Sequence, residues 1–197
     1  MLEKDRYLKR INFFITFLII FFSSELSAED QILKLIDYNQ SLKKSSALII
    51  QTSEGLLSEG TIFFGKERIR VDYLSPNKIT IILSEKKGVY INHALQETQF
   101  FNTKKSYVKF FFSLLNNKEF INESKISILK DTIKIKSVLE IDEILYNISI
   151  FYENEPIKLR KIEITNDENI ITIGFFDHII NRQYDNGFFS MIDPYLK

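Results

Sequence analysis

From about residue 45 to residue 175, apolar and polar side chains alternate in short runs. Arg68-Ile69-Arg70-Val71-Asp72-Tyr73 is one; Ile126/Ile128, Ile133/Ile135, Ile148/Ile150/Tyr152, Ile162/Ile164 and Ile171/Ile173/Phe175 mark others. Successive side chains of a strand point to opposite faces, so a period of two gathers the apolar set on one face. Between the runs stand Glu54-Gly55, Gly65-Lys66-Glu67, Ser75-Pro76-Asn77, Lys86-Lys87-Gly88, His93-Ala94, Asn154-Glu155-Pro156 and Asn166-Asp167-Glu168. These are turn residues, and their spacing of about 8–12 positions predicts antiparallel hairpins rather than βαβ units. Strands are expected near 47–52, 57–64, 68–74, 78–84, 89–92 and 96–101, with more after residue 125, for a total of about eleven. So many one-sided strands must cover their apolar face by pairing two sheets, by closing a barrel or by curling over helices.

Two segments break the period of two. Near the start, Ile32, Leu35, Ile36, Asn39 and Leu42 recur at helical spacing, with Asp30 as cap, Glu29 beside it, and Lys43 and Lys44 at the negative end. In mid-chain, Tyr107, Phe110, Phe111 and Leu114 follow i, i+3, i+4, i+7 between Ser106 and Asn117, and Phe112 and Leu115 widen the stripe. A buried strand is the competing reading of that run, because aromatic residues favour strands. Both helices are apolar on one side and suited to plug or cover a half-barrel.

The N-terminus has the layout of a secretory signal peptide: Lys4, Arg6, Lys9 and Arg10, an apolar run from Ile11 to Phe22, then Ser23 to Ala28. The run is too short for a membrane span, which needs roughly 20 residues; an uncleaved anchor is the alternative. Cleavage after Ala28 would leave residues 29–197 as one domain working outside the cytoplasm. Such a chain has no cysteine, hence no disulfide, no thiolate nucleophile, no zinc ribbon and no lipid-attachment cysteine of its own. Formal net charge is zero, which argues against a nucleic-acid binder.

Motifs for chemistry are missing. The sequence holds no G-x-S-x-G, H-E-x-x-H, Gly-rich phosphate loop or G-x-G-x-x-G. His93 and His178 are isolated, and Glu140, Asp142 and Glu143 read as a solvated hairpin turn. No catalytic residue, metal site or cofactor is therefore assigned, and the protein is read as non-enzymatic. Aromatic excess stands out instead: 18 Phe and 9 Tyr, most of them beyond residue 28. Individually they fill cores. Collectively, lining a half-barrel too wide to fill, they would hold a lipid.

The order of these segments resembles the LolA family, periplasmic carriers of outer-membrane lipoproteins. The likeness runs from about Ile32 to about Met191: the leading helix, Ser58-Glu59-Gly60-Thr61-Ile62, Arg68 to Tyr73 closing at Pro76, the segment Ser84-Glu85-Lys86-Lys87-Gly88-Val89-Tyr90, the Phe-rich helix at the family's lid position, and Leu159-Arg160-Lys161-Ile162 through Thr172-Ile173-Gly174-Phe175 and Asn181. Where the family has Arg-Pro, whose arginine latches the lid, this chain has Gly65-Lys66-Glu67; Tyr73 and Tyr90 replace tryptophans frequent in those strands, and S-E-K-K-G carries an insertion.

The resemblance implies a mainly β fold with lid helices (α+β), an unclosed antiparallel β-barrel of about eleven strands covered by the N-terminal and mid-chain helices. It implies a periplasmic, monomeric carrier of acylated lipoproteins, loaded by an ATP-driven inner-membrane complex and unloaded to an outer-membrane receptor. Lys66, Arg68 and Arg70 are the substitutes near the latch position. Alternation assigns Ile62, Phe64, Ile69, Val71, Tyr73, Ile81 and Leu83 to the lipid-facing side; the helices add Leu35, Phe110, Phe111 and Leu114. A lipid- or lipoprotein-sensing regulatory domain of the same fold, as in RseB-like proteins, is the nearest alternative, and a lipid hydrolase the more distant one. The signal peptide carries the first prediction: exported protein should show an intact mass that starts at Glu29, and a membrane-embedded product of full length would overturn the soluble-carrier reading.

Overall fold

The computed structural model describes residues 29–116 and 118–196; the expected signal peptide, residues 1–28, lies outside them. Residues 29–41 form helix α1. Six strands follow: β1 (Ser45–Ser53), β2 (Leu56–Phe64), β3 (Ile69–Ser75), β4 (Ile79–Leu83), β5 (Gly88–Asn92) and β6 (Glu97–Phe101). A 3₁₀ turn (Thr103–Lys105) leads to α2 (Lys109–Asn116) and α3 (Lys118–Glu123), and β7 (Lys125–Ile128), β8 (Thr132–Ile141), β9 (Ile144–Glu153), β10 (Lys158–Thr165) and β11 (Ile170–Ile179) complete the order. Helix α3 goes beyond the two helices expected. It is six residues long and buries one, Ile121, so no periodic stripe announces it.

The eleven strands form one antiparallel sheet in the order β6-β5-β4-β3-β2-β1-β11-β10-β9-β8-β7. Two meanders are joined where β1 pairs with β11, Ile49 opposite Phe175 and Gln51 opposite Ile173. Strands β6 and β7 are therefore the free edges, and the segment from 102 to 124, with α2 and α3, runs from one edge to the other. This is an unclosed half-barrel with a helical lid. Register shifts at Ser46/Leu48, Glu59/Gly60 and Leu159/Lys161 mark bulges, which bend a strand and increase its twist. At Gly60 the chains approach so closely that a Cβ would stand 2.4 Å from the Asp72 carbonyl oxygen.

The inner face of β8–β11 carries a buried apolar core. Ile133, Ile135, Ile148, Ile150, Leu159, Ile162 and Phe175 are all buried to 1% exposure or less. Tyr152 lies among them and donates its hydroxyl to Asn39 Oδ1 at 3.0 Å. Its ring meets Tyr38 edge-on, 6.0 Å between centroids, and the Leu159 N–H donates to the Tyr38 hydroxyl at 2.9 Å. Two tyrosines thus tie residues 38 and 39, in the last turn of α1, to β9 and β10.

Strand β4 is apolar on both faces, and the structure shows what covers each. Ile81 and Leu83 face inward; Ile82, with Val89 and Ile91 of β5, packs on the outer face against Phe189, Met191 and Tyr195 of the C-terminal segment.

Replacing Tyr152 by Phe removes the donor to Asn39, whose side chain is 1% exposed. An unsatisfied buried acceptor costs about 1–3 kcal/mol, so urea unfolding of Tyr152→Phe should show a loss of that size with an unchanged denaturant slope.

Candidate functional site

The β1–β5 side of the sheet is not filled. A cavity of about 370 Å³ lies against its inner face, at the lower end of the roughly 300–1,000 Å³ of small-ligand pockets. Alternate residues build the wall: Ile69, Val71 and Tyr73 on β3, Ile79, Ile81 and Leu83 on β4, and Leu56, Ser58 and Ile62 on β2. Ile49 and Gln51 of β1, Tyr90 of β5 and Ile173 of β11 extend it, and Tyr107, Val108 and Phe111 contribute from the lid. The period of two read along the sequence is here the inner surface of a trough.

The cavity has a closed and an open end. Ile69 and Leu83 are 1% and 3% exposed, whereas Leu56 is 69% exposed; Ser75, Pro76 and Asn77 are exposed beside it. Polar groups gather toward the open end. There the Tyr73 hydroxyl donates to Gln51 Oε1 at 2.6 Å, and Ser58, Ser75 and Asn77 share the wall. Burial pushes the Tyr73 and Tyr107 phenols above their ordinary value, so both stay protonated at neutral pH.

The lid segment starts in tight turns. Lys109, Phe110 and Phe111 donate their N–H groups three residues back, to Ser106, Tyr107 and Val108, and Ser106 Oγ accepts from the Val108 N–H at 3.4 Å. Phe110, Phe111, Phe112, Leu114 and Leu115 are all buried. An α-helix apolar nearly all round is a buried one. Lys109 Nζ donates to the Glu140 carbonyl at 3.3 Å, and Lys105 pairs with Asp142 at 3.7 Å, both at the β8–β9 hairpin. These surface contacts contribute little stability. Glu140, Asp142 and Glu143 stand exposed on that hairpin, with Asp142 and Glu143 both at positive φ.

Of the residues assigned to the lipid side, Ile62, Ile69, Val71, Tyr73, Ile81, Leu83 and Phe111 line the cavity. Leu35, Phe64, Phe110 and Leu114 are buried but are not part of its wall. The Phe110 ring lies against that of Phe111, centroids 4.2 Å apart, so it backs the wall. Gln51, Ser58, Tyr90 and Tyr107 are wall residues that alternation alone did not single out, because a polar or amphipathic side chain gives no apolar signal. Tyr107 was visible only as part of the lid stripe.

Two of the three basic residues near the expected latch bond the C-terminal segment. Arg68 Nη1 donates to the Phe189 carbonyl at 2.6 Å and Arg70 Nη1 to the Phe188 carbonyl at 2.7 Å. Arg70 also bonds both Asp72 oxygens, at 2.9 and 3.0 Å, and its guanidinium lies 4.6 Å from the Phe188 ring centre. Lys66 is exposed on the β2–β3 turn. The two arginines clamp the C-terminal segment, whose Phe188 and Phe189 pack with Tyr184, and Phe188 in turn with Phe63. A signal for this clamp was present in Arg68 and Arg70 pointing to the outer face, but its partner is over a hundred residues away.

His93 bridges Thr80 and Tyr195, and His178 bonds the Leu159 carbonyl at 2.8 Å. Neither lines the cavity. Among the described residues no group of three or more His, Asp or Glu is gathered as a metal site would require.

No protein-family model matches the chain, and no curated protein matches it in sequence. Solved structures do match in shape. An uncharacterised conserved protein from Thermus thermophilus is 8% identical with a TM-score of 0.50, over 80% of this chain and 90% of that one. The Pseudomonas aeruginosa MucA/MucB complex gives 9% identity and a TM-score of 0.48, over 83% of this chain and 60% of that one. A Vibrio parahaemolyticus domain named for outer-membrane lipoprotein sorting gives 8% and 0.44, over 81% and 94%. The Thermus likeness shows a shared fold; at these identities none of the three shows more.

Phe111 tests whether the wall is a ligand surface or an ordinary core. A fully packed Phe→Ala costs about 3–5 kcal/mol. Because one side of Phe111 faces the cavity, Phe111→Ala should cost less, and binding of a fluorescent acyl probe should fall in folded protein. A large stability loss with unchanged binding per folded molecule would return Phe111 to the core.

Proposed function

We propose that this protein is a non-enzymatic carrier, working outside the cytoplasm, that holds acyl chains of lipidated cargo in the β1–β5 cavity. The observation that carries the reading is the shape of that cavity: apolar at the closed end by Ile69 and Leu83, and open at Leu56, where the polar Ser58, Ser75 and Asn77 join the wall. An amphiphile has the same polarity along its length. The resemblance of the segment order to the LolA family supports the further step, that the cargo is lipoprotein moved from inner to outer membrane between an ATP-driven release complex and a receptor.

Energetics constrain how such a carrier works. Each methylene removed from water is worth about 0.8 kcal/mol, so complete burial of a 16-carbon chain approaches 12 kcal/mol. Several chains buried whole would pass the practical ceiling of non-covalent affinity. A carrier that must release its cargo therefore buries it in part, and an open-ended trough does so. The sequence has no phosphate loop, so energy for loading comes from a partner.

Mass spectrometry of protein purified from its own cells tests this function. Copurified lipoprotein or phospholipid supports the carrier. Hydrolysed lipid appearing on incubation would instead favour the enzyme. A membrane regulatory protein retained without lipid would favour the sensor.

A further inference from the structure

Resting on the acyl-binding reading above, we propose that the gate of the cavity is the segment from Lys104 to Lys109, hinged at Thr103 and latched to the β8–β9 hairpin by its lysines. With the latch closed an acyl ligand is held; with the latch parted it leaves. The latch lies on the second meander, away from Lys66, Arg68 and Arg70 on the first.

Two fastenings of opposite character hold this segment. On one side, Thr103 is fully buried, and its hydroxyl donates to the Ser84 carbonyl after β4 at 2.8 Å. Parting that bond would leave a buried hydroxyl without a partner, which is costly. On the other side, Lys105 Nζ stands 3.7 Å from Asp142, with side chains 67% and 64% exposed. Lys109 Nζ donates to the Glu140 carbonyl at 3.3 Å, also at the surface. Exposed contacts of this kind are screened by salt and exchange with water at little cost. A firm fastening at one end and a weak one at the other make a hinged flap.

The flap covers the cavity. Tyr107 and Val108, between Thr103 and Lys109, are wall residues, and the Tyr107 ring reaches that of Tyr146 on β9, centroids 5.9 Å apart. Both are half-buried, whereas the apolar residues of α2 are buried. The flap can therefore lift with a partial loss of burial while α2 stays packed.

Charge is matched across the latch. Lys104, Lys105 and Lys109 stand on the flap side, and Glu140, Asp142 and Glu143 on the hairpin. That hairpin holds its carboxylates at a backbone cost. Asp142 and Glu143 have φ of 47° and 68°, and a two-residue turn with both φ positive favours Asn-Gly or Asp-Gly. Glutamate in the glycine position adds charge to the side that the lysines engage.

The test uses the exported protein, a fluorescent acyl probe and stopped-flow release. The chain has no cysteine, so a pair introduced as Lys105→Cys/Asp142→Cys can be joined by a short bis-maleimide at that place alone. The joined protein should exchange probe more than about tenfold more slowly than the same variant left unjoined, because the gate can no longer open. Asp142→Lys and Lys105→Glu should each speed release about fivefold, the upper worth of an exposed ion pair, and the double swap should return the rate to within about twofold of the parent. The urea midpoints of the three charge variants should match that of the parent. Unchanged release from the joined protein, or a double swap as fast as the single reversals, overturns the latch and leaves the acyl-binding reading standing. Midpoints that fall in step with the rates assign these contacts to stability and overturn the latch as well. Failure of the parent itself to bind the probe removes the acyl-binding reading and this inference with it.

Discussion

The pairing of β1 with β11 holds the molecule together. Each meander alone is a run of hairpins with two raw edges and an apolar face. Joined through Ile49 opposite Phe175 and Gln51 opposite Ile173, they become one sheet wide enough to curl. The bond closes a loop of well over a hundred residues, an entropic cost that grows only slowly with loop length. It also leaves β6 and β7 as edges. Open edges invite aggregation, and here the chain from 102 to 124 runs between them with its Phe-rich helix.

Curling divides the inner face into two halves with different fates. Beside β8–β11, Ile133, Ile135, Ile148, Ile150, Phe175 and Tyr152 are buried to 1% exposure or less. Beside β1–β5 the same kind of side chain lines a cavity that opens at Leu56. Apolar side chains left facing water are a stability cost that an apolar occupant removes. That is the physical argument for a ligand, and it is independent of any likeness to other proteins.

The outer face needs its own cover, and the C-terminal segment supplies it. Ile82, Val89 and Ile91 would otherwise face water; Phe189, Met191 and Tyr195 bury them. Arg68 and Arg70 fasten that segment through its backbone carbonyls. Charge-assisted bonds of this kind are the stronger hydrogen bonds. Two of the three basic residues that the resemblance placed near a lid latch, Arg68 and Arg70, thus hold the C-terminal segment on the outer side of the sheet.

Much of the fold was legible in the residues. Alternation in Arg68 to Tyr73 and in Ile148/Ile150/Tyr152 identified strands and told inward from outward, because side-chain direction follows local backbone geometry. Turn residues such as Glu54-Gly55 and Asn166-Asp167-Glu168 placed the hairpins. The Tyr107–Leu114 stripe marked the lid. What the sequence by itself could not decide is which inward residues fill and which line. Ile81 and Ile135 read alike, yet one faces a cavity and the other a packed core. Phe110 and Phe111 are neighbours on one stripe, and only Phe111 reaches the wall. Periodicity reports the side of the sheet; whether that side meets another segment depends on distant pairings, curvature and where the chain returns. Gln51, Ser58 and the carbonyls that hold Arg68 and Arg70 lay hidden for the same reason: their roles come from what lies opposite them in space, and only the tertiary structure puts it there.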